Sequence, residues 1–189
     1  REYYFNNAGR QMRVLGESVY SRYMEICGYK SEIPEGGYEG EYIIEIAKSI
    51  EQKHKKQLVN DEDNSIFKDT AEAFIFSRIK TTLEKIGLVF DTYFNENILY
   101  ENNAINDVVD NLRSKNLAYD KDGATWFKGS SLGRAVDRVI IKSSGEPTYR
   151  LPDIAYHKDK FIRGYDLMID VFGADHMDAY PDVLVALDA

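Results

Sequence analysis

The chain has 189 residues, a formal net charge of −8, 43% hydrophobic and 13% aromatic content. That is enough apolar material for one sizeable domain, or a domain carrying an insertion, and it excludes a disordered chain. No apolar run reaches membrane-spanning length, and the acidic balance argues mildly against a generally basic nucleic-acid binder while leaving local patches open.

In chain order, "REYYF" (Arg1–Phe5) has strand character and "NNAG" (Asn6–Gly9) is turn chemistry. Met12, Leu15, Val19, Tyr23 and Ile26 recur at helical steps, which predicts an amphipathic helix stopped by Gly28. The loop "EIPEGGYEG" leads to a second helix with Tyr42, Ile43, Ile46, Ala47 and Ile50 on one face. After the polar "NDEDNS", a longer third helix carries Ala71, Phe74, Ile75, Ile79, Leu83 and Ile86 and closes at Gly87. "FDTYF" (Phe90–Phe94) reads as a strand, and Ile105, Val108, Val109 and Leu112 mark a fourth helix. "KDG" turns into the strand "ATWFK", and "DRVIIKSSGEPTYRL" reads as two β segments around a Ser-Gly turn. "DIAYHKDKF" is helical, with Ile154, Phe161 and Ile162 expected inward. "DLMIDVF" (Asp166–Phe172) is a nearly continuous apolar run, expected to be a buried parallel strand. A last helix is expected from Asp175 to Leu187.

The C-terminal order of strand, helix, strand, helix argues for a parallel sheet with right-handed crossovers. The expected organisation is an α/β core in two parts, 1–31 and 117–189, around a mostly helical lobe at 32–116. The single cysteine, Cys27, cannot form an internal disulfide, which points to a reducing, cytoplasmic setting. No signal peptide is legible, and an opening at Arg1 without methionine leaves room for a removed targeting segment. The small basic clusters His54–Lys56 and Arg78–Lys80 read as solvated helix faces or as nucleic-acid contacts.

In open α/β sheets, ligands lie at the carboxyl ends of the strands. Tyr149 and Asp153 stand at one expected strand end, and Gly173, Asp175 and His176 at the next. Gly173 suits a tight turn or a close ligand approach. Each residue also has a structural reading: Asp153 and Asp175 as helix caps or first-turn acids, Tyr149 as a core aromatic, His176 as a packed imidazole. Four client chemistries remain open, namely a metal, a sugar, a nucleotide and a cationic amino acid. The Asp153/His157 pair and the Asp175, His176, Asp178 group would be needed for a metal hydrolase. Only three histidines are present, however, and His54 is distant, so no metal ligand is assigned. A guanidinium fits better, because a carboxylate can hold its planar fork bidentate while a phenol or ring fixes its plane.

"IIKSSGEPTYRLPDIAYHKDKFIRGYDLMIDVFGADH" resembles the second half of the catalytic domain of bacterial arginyl-tRNA synthetases. "REYYFNNAGRQMRVLGESVYSRY", "PEGGYEGEYIIEIA" and "GATWFKGSSLGRAVDRVIIK" resemble that family's preceding stretches, in the same order. The resemblance implies the Rossmann-like parallel-sheet core of a class I aminoacyl-tRNA synthetase, an α/β fold with a mostly helical insertion. It implies an enzyme that activates arginine with ATP, accompanied by magnesium, and passes it to the 3′ end of its tRNA. Arginine, ATP and tRNA are then the partners, with no membrane. By the same resemblance Tyr149, Asp153 and His176 contact arginine, Gly173 and Asp175 line the ATP side, and Asn6 and Gly9 belong to a loop near the active site; no catalytic residue is assigned.

Departures from the family pattern are Asn7 for the usual Asp, Ser144 in place of an Asp, and Met177, Asp178 and Asp182 where His, Gly and a later Arg are usual. The family's His-Ile-Gly-His-type and Lys-Met-Ser-Lys-type signatures would lie outside this chain. It is therefore expected to be an excised middle portion, inactive by itself. The competing expectation is a non-catalytic module that binds tRNA acceptor ends or a protein.

Overall fold

The computed structural model describes residues 1–7, 9–60 and 63–189; the side chain of Asp175 also lies outside the described set. The chain divides into two compact units, Arg1–Asn95 and Glu96–Ala189.

In the first unit, β1 (Glu2–Phe5) pairs in parallel with β2 (Thr92–Asn95), with Glu2 opposite Thr92 and Phe5 opposite Asn95. Between them run α1 (Arg10–Ile26), α2 (Glu41–His54) and α3 (Ser65–Lys85). The apolar stripe read from the sequence becomes the core. Leu15, Val19 and Tyr23 of α1 bury against Ile43, Ile46 and Ile50 of α2 and Phe67 and Ala71 of α3. At Gly16 the helices come so close that an added Cβ would stand 3.1 Å from Lys68 Cβ, so a larger residue would push α3 away. The Tyr23 hydroxyl donates to the Lys55 carbonyl and accepts from the Leu58 N–H. It thereby anchors the turn after α2, where Lys55 takes a φ of 52°. Tyr3 of β1 sets its ring edge-on to Phe76 of α3 at 5.9 Å.

The second unit starts with α4 (Asn97–Glu101), a short helix not foreseen, and α5 (Ala104–Ser114). An antiparallel sheet follows, with β3 (Ala118–Lys121), β4 (Ala124–Phe127) and β5 (Arg138–Ile141) in that order. Asp122 and Gly123, both at positive φ, make the two-residue hairpin turn between β3 and β4. Helices α6 (Arg150–Ile162) and α7 (Tyr180–Asp188) complete the unit. Its buried residues include Val108 and Leu112 of α5, Phe127 and Ile140 of the sheet, Leu151 and Ile154 of α6, and Val183 of α7. Residues 32–116 are mostly helical, with β2 the one strand there among the described residues, and they span the division between the two compact units. Among the described residues no helix is long and apolar enough to cross a membrane.

Four expectations are corrected. Parallel pairing joins β1 to β2, whereas the C-terminal sheet is antiparallel among the described residues. The β segment after the Ser-Gly turn shrinks to a single bridge, Ile141 to Pro147, because proline has no N–H to extend a ladder. The run Asp166–Phe172 is not a strand: Leu167, Ile169 and Val171 are 75%, 79% and 93% exposed. A strand needs a neighbour for its backbone groups, and no described residue supplies one there. Phe161 and Ile162 are exposed too. In the last turn of α6 the buried side chain is Lys160, whose ammonium bonds the carboxylate of Asp170.

Candidate functional site

The site is built on the start of α6. Thr148 donates its N–H to Ile140 (2.8 Å), which ties the chain to β5 just before the helix begins. Tyr149 is the N-cap, and the Asp153 N–H donates to the Tyr149 carbonyl at 3.2 Å. The phenol and the carboxylate are therefore one helical turn apart on one face. Tyr149 is 56% exposed, and the Arg150 guanidinium lies 4.8 Å from its ring centroid. Among the described residues no side chain caps this helix, and Asp153 stands in its first turn, with Tyr149 at the N-cap position.

The Asp153 carboxyl is pushed up to about 6. Burial is the largest cause, and Glu96, at the start of α4, adds to it by like-charge repulsion. His176, Lys160 and Arg150 pull in the other direction and do not offset the burial. Burial thus outweighs the neighbouring charges, and the ionised carboxylate is under-solvated where it stands.

Imidazole positions differ from the metal reading. His157 Nδ1–H donates to the Asp153 carbonyl at 2.8 Å, and Nε2 is 3.3 Å from Asp170 Oδ2 without hydrogen-bond geometry. Burial lowers the His157 pKa. One ring nitrogen is thus committed to the helix backbone, and among the described residues no three His, Cys, Asp or Glu side chains gather around a metal-sized space. His176 stacks on Phe172 at 5.1 Å with a 15° interplanar angle, and Phe172 packs on Tyr180 at 5.1 Å. Gly173 has φ −67° and ψ 160°, an extended geometry open to any residue, so its backbone does not require glycine. Ala174–His176 form a single 3₁₀ turn instead of the start of the last helix. The Asp175 side chain is outside the described residues.

Asn6 and Gly9 belong to the other unit, Arg1–Asn95. Asn6 is exposed, and Gly9 precedes α1 with φ 87°, a conformation that does need glycine. Asn7 donates to Glu72 at 2.9 Å. A cavity of about 410 Å³ here is lined by Asn7, Gly9, Met12, Arg13, Gly16 and Lys68, among others. The basic clusters are partly engaged: Arg78 lies 3.5 Å from Glu45, and Lys80 sits 4.0 Å over the Tyr93 ring.

Two features escaped the sequence reading. Glu96 approaches Asp153, and its signal was available, since it too stands at a strand-to-helix transition, "FNENIL". Asp182 of α7 is 2% exposed and faces three guanidiniums, those of Arg134, Arg138 and Arg150. Those arginines are 48, 44 and 32 positions away, so no local pattern announces the cluster.

The description "tRNA synthetases class I (R), catalytic domain" matches residues 36–177. The arginine–tRNA ligase of Desulfotalea psychrophila is 57% identical over 189 residues, covering 100% of this chain and 34% of that protein. The arginine–tRNA ligase of Chlorobaculum parvum is 55% identical over 192 residues, covering 99% of this chain and 35% of that protein. This chain thus spans about a third of the length of the curated relatives it matches. A crystal structure assigned as an arginyl-tRNA synthetase from Campylobacter jejuni superposes with a TM-score of 0.88 at 36% identity, over 99% of this chain and 41% of that one. Arginyl-tRNA synthetase from Plasmodium falciparum, at 16% identity and a TM-score of 0.58, shares the fold.

Proposed function

The chain belongs to the class I arginine tRNA synthetase catalytic-domain family, and from that premise we propose that Glu96–Ala189 holds the arginine-recognition site of an ATP-dependent arginine–tRNA ligase. The observation that carries this reading is Asp153, half-buried and raised to about 6 beside Glu96. A carboxylate desolvated in this way is stabilised by a cation that it can hydrogen-bond directly. A guanidinium supplies a charge that never titrates away and a planar fork that one carboxylate can accept bidentate. Tyr149, one turn back, offers a ring and a phenol to fix its plane. His176 lies close enough to influence Asp153 and would border the same site.

In the reaction, the arginine carboxylate attacks the α-phosphate of ATP and pyrophosphate leaves; a ribose hydroxyl at the tRNA 3′ end then attacks the carbonyl of the resulting arginyl-adenylate, forming the ester and releasing AMP. The residues named here bind and orient the side chain of arginine; the phosphoryl step is not routed through them. Gly173 and Asp175 would line the ATP side, and Asn6 and Gly9 a loop beside the active site. The parts 1–31 and 117–189 would form the catalytic core around the helical lobe 32–116, in a cytoplasmic enzyme. Magnesium, the usual companion of ATP, finds no ready set of three protein ligands among the described residues, so it enters no step here.

The test compares arginine with citrulline, whose side chain has similar shape without the charge. In the full-length ligase carrying this chain, citrulline should be activated roughly 100- to 5,000-fold less efficiently, the cost of leaving a buried carboxylate unpaired. Citrulline used within tenfold of arginine would remove the reading.

A further inference from the structure

Nothing in the arginine site as described uses Asp182. It is nonetheless among the most deeply buried charged side chains of its unit, at 2% exposure. A carboxylate so buried needs cationic partners, and it has three. Arg134 Nε is 2.8 Å from Oδ1, and Arg150 and Arg138 Nε are 3.1 and 3.3 Å from Oδ2. Arg134 and Arg138 have side chains 30% and 38% exposed, but that of Arg150 is only 14% exposed.

Arg150 connects this cluster to the pocket. Its Nε is held by Asp182, and its guanidinium lies 4.8 Å from the centre of the Tyr149 ring. Tyr149 is 56% exposed, so it lacks the close packing that fixes a rotamer inside a core. What covers one face of the ring is Arg150. The residue is otherwise more than half exposed, which leaves surface for a ligand. Arg150 also places a positive charge beside a pocket meant for a cation, and Asp182 is the group that balances it.

We propose that Asp182 is a positioning residue for the arginine pocket: it fixes Arg150, and Arg150 holds the Tyr149 ring in the orientation that receives the substrate guanidinium. The inference rests on the arginine-recognition reading of Asp153 and Tyr149. It gives α7 a role in substrate choice without any contact between Asp182 and substrate. The competing account is a clamp that only fastens α7 to its neighbours.

The experiment uses the full-length ligase carrying this chain. Asp182→Asn and Arg150→Lys are each made with Tyr149 intact and in a Tyr149→Ala background. The constants for arginine and ATP are then measured separately. Asp182→Asn removes the charge at constant size. Arg150→Lys keeps a cation facing Asp182 but loses the planar contact with the ring, and it decides the matter if Asp182→Asn does not fold. Each should raise KM for arginine about 3- to 30-fold, the range of a cation–π contact, and leave KM for ATP within about twofold. In the Tyr149→Ala background that effect should vanish, because the path runs through the ring. Equal shifts in both backgrounds, or arginine and ATP constants that move together, establish the clamp and overturn the proposal. Asp153→Asn serves as the control. If it leaves the arginine constant unchanged, the recognition reading falls and the inference with it. If it raises that constant while Arg150→Lys does not, only the positioning role is lost.

Discussion

Asp153→Asn should make the protein more stable while it weakens arginine recognition. A carboxyl that titrates near 6 when folded, against an ordinary 3.8, costs the fold about 3 kcal/mol once ionised. Its place in the first turn of α6 works in the other direction, since an anion there gains about 0.3–1 kcal/mol from the helix dipole. The net expectation is a gain of about 2 kcal/mol for the neutral amide. The sign follows from proton binding. The folded state holds this proton more tightly than the unfolded state, so the penalty is absent below about pH 3.8, grows as pH rises through that point, and is complete above 6. Variant and parent should therefore coincide in stability at pH 3.5 and diverge by pH 8. Urea is the right denaturant, because guanidinium would itself occupy the proposed site. The chain has one tryptophan, Trp126 in β4, so its fluorescence reports on the Glu96–Ala189 unit even if the two units unfold separately. A variant that is no more stable than the parent at pH 8, or a difference independent of pH, would refute the argument that burial without a partner governs Asp153.

Expressed by itself, this chain spans about a third of its relatives' length and should not catalyse arginine-dependent pyrophosphate exchange; exchange above a protein-free control would show otherwise. Leu167, Ile169 and Val171 should drive concentration-dependent association of the isolated chain, and Ile169→Asp with Val171→Lys should abolish it in sedimentation experiments. Tyr23→Phe leaves the Lys55 carbonyl and the Leu58 N–H without their shared hydroxyl and should lower stability by about 1–3 kcal/mol, read from urea midpoints. In the full-length ligase, replacing Lys55 and Lys56 by Ala should flatten the salt dependence of tRNA binding by roughly two in slope if both meet phosphates; an unchanged slope identifies a solvated face.

The legible parts of the fold are those set by local periodicity. Helix α1 runs Arg10–Ile26 as its stripe from Met12 to Ile26 predicts, and Gly28 follows with φ 91°. Tyr149 and Asp153 were readable as neighbours for the same reason, since four residues make one helical turn. What failed was inference about burial from composition. The apolar run Asp166–Phe172 states a demand for cover, and composition does not say which element meets it. The Asp182 cluster failed differently. Its partners come from the stretch after β4, from β5 and from α6, so only the tertiary structure reveals that one carboxylate serves three guanidiniums.

The exposed run and the site are two faces of one segment. Extended chain alternates its side chains with a period of two. Here the odd positions 167, 169 and 171 face outward, while Asp170 meets Lys160 of α6, and Phe172 packs on His157, His176 and Tyr180. A slip of one residue would exchange the faces. It would set Ile169 or Val171 against a Lys160 that is only 8% exposed, and an ammonium stranded that way costs on the order of 3–5 kcal/mol. The Lys160–Asp170 pair therefore fixes the register of a segment that no sheet neighbour among the described residues can fix. That register delivers Phe172, and with it the stacked His176 ring, to the side of Asp153. On the proposed reading of Asp153, the ion pair would act on arginine recognition at one remove, by deciding which face of the segment turns toward that carboxylate.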